Sequence, residues 1–191
     1  MKIILMRHSL TIENMDHRFL GITDVLLSPS GAALAAERAQ VMPSVEHVYI
    51  SPLARCRQTA VLLWPNVAQT VIPELRETDF GEFEGKSHEE LLGNPQYNKW
   101  LTCPDDPTIV PFVEDVASCG IRATKALEAL VEDAKEQGYE KIAVVSHGGT
   151  LMAMLARHGV PEQDYYSWRM GNCSGYIVEL KDMKLLIEKR I

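Results

Sequence analysis

Two histidines stand where a strand-like apolar run gives way to a loop. The first run, Lys2-Ile3-Ile4-Leu5-Met6, closes on Arg7-His8-Ser9. The second, Lys141-Ile142-Ala143-Val144-Val145, closes on Ser146-His147-Gly148-Gly149-Thr150. The two segments align lysine to lysine and histidine to histidine. After His147 the paired glycines allow backbone to approach a ligand closely. A helix predicted to begin there would offer free N–H groups and the positive end of its dipole to an anion. Ser51-Pro52-Leu53-Ala54-Arg55-Cys56-Arg57-Gln58-Thr59-Ala60 adds more cation after another short strand. Arg55 and Arg57 fall in the first turns of a helix, where a cation opposes the macrodipole. A bound anion accounts for that placement. Arginine suits phosphate because its planar fork makes two parallel, charge-assisted hydrogen bonds. Arg7 and one of Arg55 and Arg57, with His8 and His147, are therefore a candidate phosphate clamp.

The chemistry this clamp suits is phosphoryl transfer. A histidine that attacks phosphorus must be neutral, and nearby arginines disfavour the imidazolium. The reaction also needs in-line attack, charge stabilisation on the equatorial oxygens and an acid for the leaving oxygen. Glu74, Glu77, Asp79, Glu82 and Glu84 all offer that acid. A carboxyl serves so only where burial or neighbouring anions favour its protonated form. Any one of the five reads equally well as a solvated loop charge. Arg7 and His8 alone read equally well as a charged strand end; the second strand–His–Gly-Gly–helix arrangement turns the balance toward a site. A metal centre on His8, His147 and His17 is the weaker reading, since neither the carboxylates nor the spacing forms a ligand pattern.

These groups need a scaffold that brings several strand ends together. Strands are expected at 2–6, 47–50, 67–72 and 141–145, with a terminal hairpin from Tyr176–Leu180 and Lys184–Glu188 around Lys181–Met183. Residues 9–30 read as loop. A helix follows Ser28-Pro29 up to Pro43, another runs from Ser51 (N-cap) and Pro52 (first helical position) to about Trp64, and a capping box joins Ser87 to Glu90. A further short helix is expected around Pro95–Leu101, a loop at 103–111, a long helix from about Phe112 to Glu136 stopped by Gly138, and a helix from Gly148 to about His158. Strands alternating with helices predict an α/β fold: a three-layer sandwich with a mainly parallel central sheet and helices on both faces. The acidic, glycine-rich stretch at about 74–115 reads as a helical and loop insertion within a single domain over 1–191, lying over one edge.

Composition narrows the partners. The net charge of −7 argues against nucleic acid and anionic membrane as ligands. No apolar run approaches the roughly 20 residues of a membrane span, and the N-terminal run is too short for a signal-peptide core. A cytoplasmic location is expected. Cys56, Cys103, Cys119 and Cys173 contain no Cys-x-x-Cys pair, so reduced, buried thiols are expected.

In order along the chain, these residues resemble the histidine phosphatase superfamily, in its phosphoglycerate mutase-like branch. The resemblance rests on Arg7-His8-Ser9-Leu10-Thr11 with Asn14, on Arg18-x-x-Gly21-x-x-Asp24-x-x-Leu27 with Gly31, and on Ser51-Pro52-Leu53-x-Arg55-x-x-Gln58-Thr59-Ala60. It continues through Leu75-Arg76-Glu77-x-Asp79-Phe80-Gly81-x-Phe83-Glu84-Gly85 and Ser146-His147-Gly148-Gly149. It implies His8 as a phosphorylated nucleophile, Glu77 as proton donor, and Arg7, Arg55 and His147 as the phosphate-binding shell. Asn14, Ser9, Thr11 and Gly148 complete the phosphate site, and Arg57 has no role. No cofactor or metal is implied, and the partner is a small phosphorylated substrate; a monomer or a homodimer fits equally. Ser9 and Leu10 depart from the family's usual glycine and acidic or amide residue, and Leu20 stands where some members carry glutamine. The serine would place a Cβ and hydroxyl beside the phosphate, leaving its N–H to donate. A family loop loosely followed at Pro104–Glu114 ends here in Phe112-Val113-Glu114-Asp115. The wording around Leu75–Gly85 resembles the α-ribazole phosphatase branch of cobalamin biosynthesis, which implies a phosphomonoesterase with α-ribazole 5′-phosphate as a candidate substrate. A mutase and a phospho-ligand binding module without turnover are the alternatives. Specificity is expected from 86–115, where Tyr97, Trp100 and Phe112 could line a pocket or form core.

Overall fold

A computed structural model describes residues 1–103 and 113–191. Phe112 and most of the loop expected at 103–111 lie outside the described residues. The strands are Lys2–Arg7 (β1), His47–Ile50 (β2), Gln69–Val71 (β3), Lys141–Ser146 (β4), Gly159–Val160 (β5), Gly175–Lys181 (β6) and Lys184–Arg190 (β7). They form one sheet in the order β3-β2-β4-β1-β6-β7-β5. Pairing is parallel from β3 through β1 and antiparallel on both sides of β6.

The central strands are apolar on both faces because both faces are covered. Ile3 and Leu5 of β1 pack with Ile142 and Val144 of β4 against Leu127 and Leu130 of the helix Val116–Gln137 and Leu151 and Met154 of Gly148–His158. Ile4 and Met6, one residue out of phase, pack with Ala143 and Val145 against Ala35 of Pro29–Ala39 and Cys56, Ala60 and Leu63 of Ala54–Leu63. This is the three-layer α/β sandwich. In chain order the α-helices are Ile12–Met15 (α1), Pro29–Ala39 (α2), Ala54–Leu63 (α3), His88–Leu91 (α4), Pro95–Thr102 (α5), Val116–Gln137 (α6) and Gly148–His158 (α7).

Several local expectations are corrected. Residues 9–30 are not wholly loop: Thr11 and Asn14 form a reciprocal capping box around α1. Asp115, not a residue near 112, caps α6, its side chain accepting from Ser118 N–H; Gly138 ends the helix with φ +74°. Ser51 is not the cap of α3, which starts at Ala54 after Leu53. Its hydroxyl is engaged at the sheet edge instead, as described below. Cys56, Cys119 and Cys173 are buried, but Cys103, just past the end of α5, is exposed.

The segment after β3 is held by its aromatics. Phe83, Leu91, Tyr97 and Val113 are buried together, with Phe19, Phe80 and Trp100 packed against them. A backbone bridge between Arg18 and Ser87 and an ion pair from Arg18 to Glu90 (2.8 Å) fasten this segment to the loop after α1. No helix among the described residues is long and apolar enough to cross a membrane.

Candidate active site

Strand register decides which residues meet. In the β1–β4 pairing Lys2 faces Lys141 and Arg7 faces Ser146. In β2–β4, Ile50 faces Val145. The next residues along, His8, His147 and Ser51, therefore emerge side by side at the carboxyl ends of three parallel strands, the edge where ligands bind in open α/β sheets. The His8 and His147 rings meet edge to face with centroids 5.1 Å apart.

The tautomer of each ring follows from its partners. His8 Nδ1 lies 2.7 Å from the Ser9 carbonyl oxygen. A carbonyl can only accept, so Nδ1 carries the proton. The lone pair is then on Nε2, which makes no hydrogen bond among the described residues. For His147 the pattern reverses. Arg55 Nε, a donor only, points at Nδ1 (3.3 Å), so Nε2 carries the proton and donates to Ser51 Oγ (2.7 Å). Both ring nitrogens of His147 thus already have protein partners.

The arginines divide the work. Arg55 is fully buried and donates to the carbonyls of Thr23 (2.8 Å) and Gly21 (2.7 Å) as well as to His147. Arg7 is anchored by one bond, from Nη1 to the Met170 carbonyl (3.0 Å). Its buried Nε has no partner. Arg7 lines a cavity of about 280 Å³ with Glu77, Gly148, Gly149, Arg18 and Arg169. A buried donor left unpaired beside a cavity is the arrangement an anion completes. Arg57 is exposed and lines a different groove, with Gln58, Leu27 and Pro29.

Glu77 reaches the same cavity from the segment after β3. Its carboxylate accepts from the N–H groups of Thr78 (2.9 Å), Gly149 (3.0 Å) and Thr150 (3.0 Å), which ties it to the N-terminus of α7. Gly149 permits this approach, because a Cβ there would lie 2.7 Å from Glu77 Oε1. Three other carboxylates of the acidic segment are used elsewhere or exposed. Glu84 accepts from the N–H groups of Ile22 and Thr23 and from the Thr23 hydroxyl, and Asp79 accepts from Gly81 N–H. Glu82 is exposed.

The departures at Ser9 and Leu10 prove local. Ser9 Oγ donates to the Gly31 carbonyl (2.7 Å), and Ser9 N–H donates to Thr59 Oγ1 (3.0 Å), so both groups are engaged within the protein. The Leu10 carbonyl accepts from Ser28 N–H (2.9 Å). Leu20, where some family members carry glutamine, is buried and lines the Arg7 cavity. Thr11 and Asn14 hold α1, while Gly148 lies against the Arg7 guanidinium. His17 is exposed, and no group of three or more His, Cys, Asp or Glu among the described residues could hold a metal ion.

One contributor was invisible from sequence. Asn172 Nδ2 donates to the carbonyl of His8 (3.2 Å) and to Asn14 Oδ1 (2.9 Å), and lies 3.4 Å from the Ser9 carbonyl. It sits just before β6, whose antiparallel pairing sets Gly175 opposite Met6. Only that reversal brings the start of β6 beside His8. The sole signal was a polar run before the terminal strand.

Burial holds the imidazoles of His8 and His147 well below the ordinary histidine value, with Arg55 reinforcing it in both and Arg7 contributing further. In the unfolded chain both rings take a proton near pH 6.5. In the folded chain they stay neutral, so stability is intact above pH 6.5 and falls as pH drops below it. The slope is about 1.4 kcal/mol per pH unit for each ring, about 2.7 for the pair. Urea unfolding at pH 7.0 and 5.5 measures this. Burial lowers the pKa of His47 and His158 too, so in His147→Gln the loss between the two should shrink by one ring's share; an unchanged loss would refute the assignment.

The sequence profile of the histidine phosphatase superfamily (branch 1) matches residues 3–190. The chain belongs to that superfamily and is a phosphatase of that class. It is 31% identical to phosphoserine phosphatase 1 of Hydrogenobacter thermophilus over 198 residues, covering 98% of this chain and 90% of that one. It is 29% identical to the adenosylcobalamin/α-ribazole phosphatase of Escherichia coli over 181 residues, covering 89% and 85%. The crystal structure of the α-ribazole phosphatase from Shigella flexneri superposes with a TM-score of 0.86 at 24% identity, covering 98% and 95%, which is a likeness of fold.

Proposed function

We propose that the protein is a phosphomonoesterase that hydrolyses a small phosphorylated metabolite through a phosphohistidine on His8. The observation that carries this is the His8 ring itself. Its Nδ1 proton is pinned on the Ser9 carbonyl, and its Nε2 lone pair is left unbonded beside Arg7, Arg55 and His147. In the first step Nε2 attacks phosphorus as the P–O bond to the leaving alcohol breaks, and Glu77 gives that oxygen its proton. In the second, water attacks the phosphohistidine, the P–N bond breaks, and Glu77 takes the water's proton. Of the Glu77 oxygens, Oε2 accepts only from Gly149 and is the one free to hand over a proton. Arg7 supplies direct charge to the phosphate. Arg55 supplies charge from behind and fixes His147 and the 21–23 loop. Ser51 and Arg55 together orient His147. Thr11, Asn14 and Ser9 order the loop behind the nucleophile, and Gly148 lies beside Arg7 at the start of α7.

Residues 1–191 are read as one domain, in which Glu77 and Phe80, from the described part of the segment at about 74–115, line the site. We place its action in the cytoplasm. The relatives named for α-ribazole phosphate and phosphoserine support a small phosphomonoester, with α-ribazole 5′-phosphate the candidate favoured by the wording of residues 75–85. A panel of phosphorylated sugars, glycerates, nucleotides, phosphoserine and α-ribazole phosphate, assayed with and without EDTA, tests the reading. Release of phosphate from at least one monoester, indifferent to EDTA, is expected. Phosphate binding with no turnover of any of them would overturn it.

Asn172 is expected to act through the loop that carries His8. Asn172→Ala should lower kcat about 10- to 100-fold with little change in KM, since small misplacements of a nucleophile are costly. Asn172→Asp, which cannot donate, should do no better. Full activity in Asn172→Ala would remove it from the mechanism.

A further inference from the structure

Beside the cavity of Arg7 and Glu77 lies a second one of about 350 Å³. The two share Phe19, Phe80, Gly149, Met152 and Arg169 in their linings, so they lie side by side as a cleft with a charged end and an apolar end. The volume falls in the range of about 300–1,000 Å³ usual for small-molecule sites. Among the described residues the apolar end is walled by Phe19, Phe80, Tyr97, Trp100, Met152 and Tyr165.

The wall is braced without a ligand. Phe19 meets Phe80 at 5.2 Å between centroids and Trp100 at 5.7 Å, and Phe80 meets Trp100 at 6.2 Å; the two contacts with Trp100 are edge-on. Edge-to-face clusters of this kind hold their geometry and present a fixed apolar surface. The one carboxylate among the described lining residues is already spent. Glu114 is paired with Arg122 through both oxygens (2.7 and 2.6 Å) and with Arg76 (3.3 Å). An ammonium-bearing leaving group such as that of phosphoserine would find no free counter-charge among the described residues of this lining. Arg169 stands at the junction, exposed, with its guanidinium over Tyr166 at 5.3 Å.

We infer that the leaving group this site takes carries a planar aromatic ring, stacked in the cleft between the Phe19–Phe80–Trp100 wall and Met152–Tyr165 while the phosphate lies on Arg7. This rests on the phosphomonoesterase reading and deepens it to a substrate class: phosphomonoesters of aryl or heteroaryl alcohols and ribosides, ahead of phosphoserine and phosphoglycerate. Trp100 and Met152 are then specificity-determining residues.

The test has two arms. In the binding arm, which needs no turnover, Kd is measured calorimetrically for benzylphosphonate and for ethylphosphonate on the whole protein. Benzylphosphonate should bind about 10- to 100-fold tighter, the effect of burying one phenyl ring. In the kinetic arm, kcat/KM is compared for 2-phenylethyl phosphate, ethyl phosphate, phosphoserine and 3-phosphoglycerate. The aryl ester should lead by a similar factor, and Trp100→Ala and Met152→Ala should each collapse the aryl-to-ethyl ratio. Equal affinity for the two phosphonates overturns the inference. So does a lead for 3-phosphoglycerate that Arg169→Ala abolishes, which would make the junction a carboxylate site. Tight benzylphosphonate binding with no hydrolysis of any ester would leave the aromatic cleft standing and defeat the phosphatase reading instead.

Discussion

His8→Ala should form no phosphoenzyme and lose turnover by about 10⁴-fold or more. Removing a covalent nucleophile abolishes the two-step path, and what remains is the slow attack of water on a phosphate held by the surviving charges. The starting geometry is favourable to a large effect. The ring is 3% exposed, its proton is fixed on the Ser9 carbonyl and its pKa is depressed by burial and by Arg55 and Arg7, so the neutral form predominates at pH 7. Rapid quench with a labelled monoester should trap an acid-labile, alkali-stable phosphoprotein in the wild type and none in the variant. Turnover by His8→Ala near the wild-type rate, or label retained on it, would end the phosphohistidine mechanism. The substitution removes one hydrogen bond, to a carbonyl that Asn172 also approaches, so the variant should remain folded.

Glu77→Gln should cost about 10²–10⁴ in kcat/KM, which reports the phosphorylation step, on alkyl phosphates, the usual contribution of a positioned acid. The loss should be much smaller on p-nitrophenyl phosphate, because nitrophenolate departs without needing a proton. That contrast separates proton donation from mere structure. Glu77 is held by three backbone N–H groups, two of them at the start of α7. A glutamine amide has one accepting oxygen in place of two, so one of those donors loses its acceptor, at a stability cost of about 1–3 kcal/mol. Thermal unfolding reads that separately. An equal loss on both classes of substrate would assign Glu77 to positioning alone.

Much of the fold was legible because its signals are local. Buried parallel strands read as uninterrupted apolar runs, and Pro29, Gly138 and the Ser87–Glu90 box mark helix ends by backbone chemistry alone. The failures were also local rules overridden by distant partners. Ser51-Pro52 has the form of a helix start, yet His147, 96 positions away, uses that hydroxyl and the helix begins at Ala54. Ser9 adds a hydroxyl to the phosphate loop, yet that hydroxyl donates to the carbonyl of Gly31, 22 positions away.

The residue types and their order determined by themselves that this is an α/β protein with a cationic, histidine-bearing site at strand ends. Runs of β-branched residues, glycine pairs and paired arginines carry that information wherever they are placed. Tertiary structure alone decided which groups meet. The parallel register of β1 with β4 sets His8 against His147, and the reversal of β6 brings Asn172 under the nucleophile. The packing of Phe19 on Phe80 and Trp100, 61 and 81 positions further along the chain, opens an aromatic cleft beside the phosphate site. Contacts of such sequence separation depend on register and packing, which no local pattern of residues encodes.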